Sequence, residues 1–199
     1  MRIAILTALA AAACTSPQID PGAYFCGPDG ACPEGQACNG PDNVCVAAST
    51  AKPFECGMGF VDVVGDDTAA TGQPVTGLGC VSIQFTTLGC LQAGDIGDWF
   101  QFDVPDNCAA VKVDARVSFP VAFERLELQL SKANGPPATM ESPCSAPSTA
   151  DSPEEVRCLS AVLEPGAHYA IGVVPDGTQN CDARCANNRY TFSFQLKAP

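Results

Sequence analysis

Residues 111–117 read VKVDARV, and their reading decides the fold. Val111, Val113, Ala115 and Val117 alternate with Lys112, Asp114 and Arg116. A period of two puts one set on each face of an extended chain, so the stretch reads as a half-buried β-strand. The same alternation recurs on both sides of it. WFQFDV carries Phe100, Phe102 and Val104, LELQL carries Leu126, Leu128 and Leu130, and HYAIGVV carries Tyr169, Ile171 and Val173. RYTFSFQL carries Tyr190, Phe192, Phe194 and Leu196, and VSIQF carries Val81, Ile83 and Phe85. With FVDVV near residue 60 and CLSAVL near residue 158, about eight strands are expected. Turn chemistry separates them at Gly94-Asp95, Pro105-Asp106-Asn107, Asn134 to Pro137, Pro165-Gly166 and Pro175 to Gly177. Ser152 to Arg157 (SPEEVR) has a Ser cap and an early Pro and is expected to form one short helix. Parallel strands would need crossover helices, which the pattern lacks. The expected fold is mainly β: an antiparallel two-sheet sandwich over residues 56–199.

The 199 residues carry 13 cysteines, an odd number, and a net charge of −12. Lys and Arg form no cluster in the chain, so nucleic acid is not an expected partner. At the N-terminus, Met1 and Arg2 precede an apolar run from Ile3 to Ala13, the length of a secretory signal and too short to span a bilayer. Cys14 closes that run and is the natural odd cysteine. The other 12, in an exported chain, read as a disulfide framework. Zinc is the rival use, but only Cys181 and Cys185 have the spacing of a ligand pair, and the single His168 lies well before them.

Cys26, Cys32, Cys38 and Cys45 stand within CGPDGACPEGQACNGPDNVC, where Gly-Pro-Asp occurs twice. Its apolar side chains are only Ala31, Ala37 and Val44. Their burial is worth a few kcal/mol, whereas ordering the segment costs roughly 30 kcal/mol. Residues 26–45 therefore read as a small module held by two disulfides, a spacer or a binding knob. Residues 46–55 (VAASTAKPFE) read as a linker. In the sandwich, Cys56, Cys80, Cys90, Cys108, Cys144, Cys158, Cys181 and Cys185 are expected to pair as neighbours: 56 with 80, 90 with 108, 144 with 158, and 181 with 185.

Two resemblances add to this. Ala11-Ala12-Ala13-Cys14 resembles a bacterial lipobox, with Ala11 where the pattern usually has Leu. The likeness implies a signal peptide over 1–13, lipidation of Cys14, and a lipid-anchored tether over 14–25. Thr15, rather than Asp, after the cysteine implies sorting to the outer membrane of a Gram-negative cell and a place at the cell surface. Further on, Gly97 to Phe102 (GDWFQF), Leu126 to Leu130, Pro165 to Val173 and Tyr190 to Phe194 occur in the order in which a bacterial pre-peptidase C-terminal domain carries its motifs. That resemblance covers roughly residues 90 to 197. It implies a jelly-roll-like sandwich, in a family in which some members bind calcium.

Candidate chemistry is sparse. His168 opens a strand beside no glycine-flanked serine, so the chain reads as no enzyme. Asp66, Asp67, Asp95, Asp98 and Asp103 are the acids that a two-carboxylate hydrolase would need. Asp95, Asp98 and Asp176, on loops, could hold calcium, and no other cofactor is expected. Trp99, with Gln101 and Asp103 on the same strand face, could stack on a sugar or a peptide. The expected function is a non-catalytic surface lipoprotein whose sandwich binds extracellular polysaccharide or protein. The alternatives are a structural or accessory subunit of an envelope or secreted-protease complex, and, behind both, a hydrolase.

Overall fold

A computed structural model describes residues 19–199 apart from 58, 93, 134, 140, 141, 143, 145–153 and 178–187. Cys14, Cys181 and Cys185 lie outside the described residues, and with them the expected lipidation and the expected 181–185 pair. The strands are β1 (Gln36–Asn39), β2 (Val44–Ala47), β3 (Gln73–Pro74), β4 (Phe85–Leu91), β5 (Asp98–Asp103) and β6 (Val111–Pro120). They continue with β7 (Leu126–Lys132), β8 (Ala138–Thr139), β9 (Glu154–Leu163), β10 (His168–Pro175) and β11 (Asn188–Lys197). One sheet has the order β3-β5-β10-β7-β8 and the other β4-β11-β6-β9, while β1 and β2 form a separate hairpin. From β4 to β7 each successive strand changes sheet, as in a jelly roll. The expected two-layer β fold is present. All pairings are antiparallel except that of β3 with β5, which is parallel.

Alternation places the core. Phe100 and Phe102 of β5 face Phe192 and Phe194 of β11, with ring centroids 4.8 Å apart for Phe100–Phe192 and 5.0 Å for Phe102–Phe194. Val111, Val113, Val117, Leu126, Leu128, Ile171, Val173 and Leu196 close around them, all buried. Leu130 is only partly buried at the margin of this core.

Three expected elements differ. Val81 and Ile83 are 70 % and 91 % exposed and lie before β4, which begins at Phe85. Val61 makes only an isolated bridge to Gly89, and Val63 and Val64 are exposed ahead of the turn at Gly65. Glu154 to Arg157, expected in a helix, instead begin β9, which pairs with β6 from Glu154 to Leu163. A helix there would strip the β6 edge of hydrogen-bond partners along that length, and strand pairing satisfies them.

Among the described residues, five disulfides join Cys26–Cys38, Cys32–Cys45, Cys56–Cys90, Cys80–Cys108 and Cys144–Cys158. The expected 56–80 and 90–108 pairs are thus replaced. The reason is strand direction: β4 and β5 run in opposite senses in facing sheets. Cys80, before β4, meets Cys108, after β5, at one end of the sandwich, while Cys90 lies at the far end of β4. So many disulfides belong to a chain folded in an oxidising compartment, that is, an exported one.

The 46–55 segment is not a free linker. Val46 and Ala47 belong to β2, and Gly40 N–H donates to the Lys52 carbonyl at 2.9 Å. Phe54 is buried against Phe123, with centroids 4.9 Å apart, in a cluster that includes Cys26, Cys45, Cys90 and Ala122. A Cβ on Gly40 would collide with the Phe54 backbone, so the approach requires glycine there. Arg189 of β11 adds a 2.6 Å hydrogen bond to the Pro41 carbonyl. The cysteine module is therefore docked on the sandwich and does not stand off as a stalk. Phe54→Ala is expected to lower stability by about 3–5 kcal/mol in urea unfolding and to open residues 46–56 to proteolysis. A change within about 0.5 kcal/mol, with no new cleavage, would show that the docking is not held by this ring.

Candidate functional site

The acids singled out in the sequence split into two groups. Asp98 opens β5 with the same parity as Phe100 and Phe102, so its side chain points between the sheets. It is 2 % exposed. Its Oδ2 accepts a short hydrogen bond from the Tyr190 hydroxyl, which reaches across from β11 in the other sheet. Tyr190 has room because Gly89 is its partner on β4, and a methyl at 89 would overlap the phenol ring. Asp62, Asp95 and Asp98 each offer a carboxylate oxygen to one cluster, with these atoms within 4.8 Å of one another. Asp176 is not in this group; its backbone N–H bonds the Arg125 carbonyl, beside Glu124.

The cluster is delivered by identifiable local structure. Cys56–Cys90 ties the chain to the end of β4, Val61 then bridges Gly89, and Asp62 follows beside Asp95. Gln92 holds Asp62 through a 2.7 Å hydrogen bond to Oδ2. Asp95 Oδ1 accepts the Gly97 N–H at 3.0 Å, in a turn where Gly97 has φ 141°. Gln73 donates to Asp66 Oδ2 at 2.6 Å, and Asp66 is 3 % exposed.

The electrostatics are unfavourable as they stand. Burial, the largest cause, lifts the Asp98 carboxyl to about 8; the Tyr190 hydrogen bond opposes this, and the neighbouring Asp66, Asp95 and Asp62 charges add to it. Burial also raises Asp66 and Asp95, and nearby carboxylates push them the same way. Oδ1 of Asp98, Oδ1 of Asp66 and Oδ2 of Asp95 are buried with no hydrogen-bond partner. Buried carboxylate oxygens without donors are matched by a proton or by a hard cation, and an all-oxygen set suits calcium. Asp62, Asp95 and Asp98 are the residues that could hold it, with Asp66 adjoining. The chemistry such an ion would supply is neutralisation of the carboxylates and cross-linking of the loops that carry them.

The second group does not form the binding face expected of it. Trp99, Gln101 and Asp103 do alternate away from the core, but a further layer of chain covers the first two. Trp99 is 3 % exposed, lies against Ala69, Ala170 and Val174, and has Gly172 opposite it on β10. A Cβ at either Gly72 or Gly172 would strike it. Gln101 donates to the Ala69 carbonyl at 2.8 Å. Trp99 is thus a packing residue under the 66–75 segment and has no free ring face for a sugar. Asp103 is exposed and faces His168 at 2.8 Å across the β5–β10 ladder.

No family model matches the chain, and no curated protein matches it. Among solved structures, it is similar to the pre-peptidase C-terminal domain of a collagenase from Bacillus anthracis. That match has 18 % identity and a TM-score of 0.38 and covers 62 % of this chain and 93 % of that one. It is similar also to PliG of Salmonella Typhimurium, a periplasmic inhibitor of g-type lysozyme, with 14 % identity, a TM-score of 0.37, and 64 % and 100 % coverage. PliG of Aeromonas hydrophila gives 9 % identity and a TM-score of 0.35, covering 63 % of this chain and 95 % of that one.

The raised carboxyls fix a pH dependence. An acid whose folded pKa exceeds its unfolded value binds protons on folding, so stability falls as pH rises between the two values. For Asp98 that window runs from about 4, the unfolded value, to about 8, and Asp66 and Asp95 act in the same direction. In chelator, the melting temperature is expected to be higher at pH 5.5 than at pH 8, with Asp98→Asn flattening the slope. A chelated protein more stable at pH 8 than at pH 5.5 would contradict this electrostatic account.

Proposed function

We propose that the chain is a non-catalytic binding protein, exported and lipid-anchored through Cys14, whose sandwich recognises polysaccharide or protein outside the cell. The observation that carries this reading is the rigid construction of the head. Two disulfides knit the module, Cys56–Cys90 and the Phe54 contact hold the adjoining chain to the sandwich, and Cys80–Cys108 joins chain before β4 to chain after β5, across the two sheets. Meanwhile the four-stranded sheet keeps an open polar outer face lined by Lys112, Asp114, Arg116 and Gln195. A preorganised surface loses little entropy on binding, which is how a small domain gains affinity. Calcium held by Asp62, Asp95 and Asp98 would brace the loops at the end where the module docks. A place at the outer membrane follows from the lipobox reading, and anchoring by several acyl chains would be firm.

The alternative is an accessory subunit of an envelope or secreted-protease complex, in which the same head docks on a protein. Exposed Val63, Val64, Ile83 and Ile96 favour it, because apolar side chains on a head of this kind suit a protein contact. Glycan arrays and pull-downs separate the two readings.

The intact mass of the mature protein, before and after reduction, tests export and anchoring together. The expected mass begins at an acylated Cys14 and rises by 12 hydrogens on reduction, since 13 cysteines less Cys14 leave 12. An unacylated chain, or one with thiols already free, would overturn the reading.

A further inference from the structure

The outer face of the four-stranded sheet forms a groove of about 890 Å³. It is built by period-two alternation on β6: the valines face the core, so Lys112, Asp114 and Arg116 face outward. Across the ladders Lys112 lies opposite Lys197, Asp114 opposite Gln195 and Ser160, and Arg116 opposite Ser193 and Cys158. Among the described residues the groove lining thus carries three cations and one carboxylate, with Glu154 further along the same face opposite Pro120, on a chain whose net charge is −12.

The cations are not equivalent. Asp114 sits between the two lysines, with Lys112 Nζ at 3.4 Å and Lys197 in direct contact, and accepts the Ser160 hydroxyl at 2.6 Å. Partial burial works against the Asp114 charge, but the hydrogen bonds from Lys197 and Ser160 outweigh it and hold the carboxyl below its usual range. Asp114 is therefore committed to the lysines. Arg116 is exposed and makes no ion pair or side-chain hydrogen bond among the described residues. Its planar fork is free for bidentate pairing with a carboxylate.

The rest of the lining narrows the ligand. Ser160, Ser193, Gln84 and Gln195 offer donors and acceptors for sugar hydroxyls. The aromatic ring in the lining, Phe194, is 1 % exposed, so a neutral sugar finds no stacking surface there. We propose that this groove binds an acidic polysaccharide of the uronate class, with Arg116 pairing to its carboxylates and the Lys112–Asp114–Lys197 set flanking them. The inference rests on the reading of the chain as an extracellular binding head and gives that head a face and a ligand class.

Short oligogalacturonates and their methyl-esterified, uncharged counterparts serve as probes in calorimetric titration at low salt. The wild-type protein is expected to bind the acid form and not the ester, with affinity falling as salt rises. Arg116→Glu should weaken binding by at least about tenfold, and Arg116→Lys should retain part of it. Both variants should melt like the wild type, because Arg116 is exposed and makes no ion pair or side-chain hydrogen bond among the described residues. Equal binding of acid and ester, or wild-type affinity in Arg116→Glu, would overturn the proposal. Failure to bind either probe, with retention of another glycan or a protein on arrays and pull-downs, would overturn the groove assignment and leave the binding head standing. Loss of the oligogalacturonate to competition by an acidic peptide at lower concentration would also overturn it, in favour of a protein ligand.

Discussion

A carboxylate buried between two sheets constrains everything near it. Asp98 is forced inward by the same alternation that buries Phe100 and Phe102, so the strand that builds the core also carries an acid into it. Tyr190 satisfies one oxygen and, in doing so, links β5 to β11 across the layers. That link needs Gly89, because any side chain there would occupy the space of the phenol ring. The other oxygen is left without a donor, and Asp62, Asp66 and Asp95 add negative charge around it. Burial at this density is costly unless a proton or a cation offsets it.

The same end of the molecule holds the cysteine module. Cys90, at the end of β4, is bonded to Cys56 and packs with Phe54 and Phe123, while its cross-strand partner Arg189 holds the Pro41 carbonyl. The chain leaves this junction through Phe60 and Val61 and enters the acidic cluster at Asp62. Module docking and cluster assembly are therefore parts of one structure. What the module cannot achieve by its own burial, it achieves by two internal disulfides and a shared apolar contact with the sandwich.

The strands that pack the core were legible from residue alternation: WFQFDV, VKVDARV, LELQL, HYAIGVV and RYTFSFQL all lie in sheets with the expected faces inward. Alternation states which face is apolar, but not what lies above the other face. Trp99 and Gln101 do point away from the core, yet the 66–75 segment covers them, a long-range contact that no local pattern reports. Val81, Ile83, Val63 and Val64 have β-branched side chains but no ladder partner, and propensity without pairing does not make a strand. Disulfide partners depend on which strand ends meet, and that is a property of topology. Of the site, the Asp95–Asp98 pair was visible as a turn bracketed by acids. Asp62 was not, because long-range contacts bring it there: the Cys56–Cys90 bond, the Val61–Gly89 bridge and the Gln92 hydrogen bond. Asp176 sits in an equally acidic turn but belongs to the Arg125 loop.

Buried Asp98 and half-buried Asp62 and Asp95 bring their carboxylate oxygens together as a hard cation would require. Calorimetric titration of calcium into chelator-treated protein tests that arrangement most directly. The account predicts one ion bound per chain at calcium levels of about 1 mM or below, with protons released on binding at pH 7 and no binding in Asp98→Asn. Absence of binding at that concentration, or undiminished binding in Asp98→Asn, would contradict it.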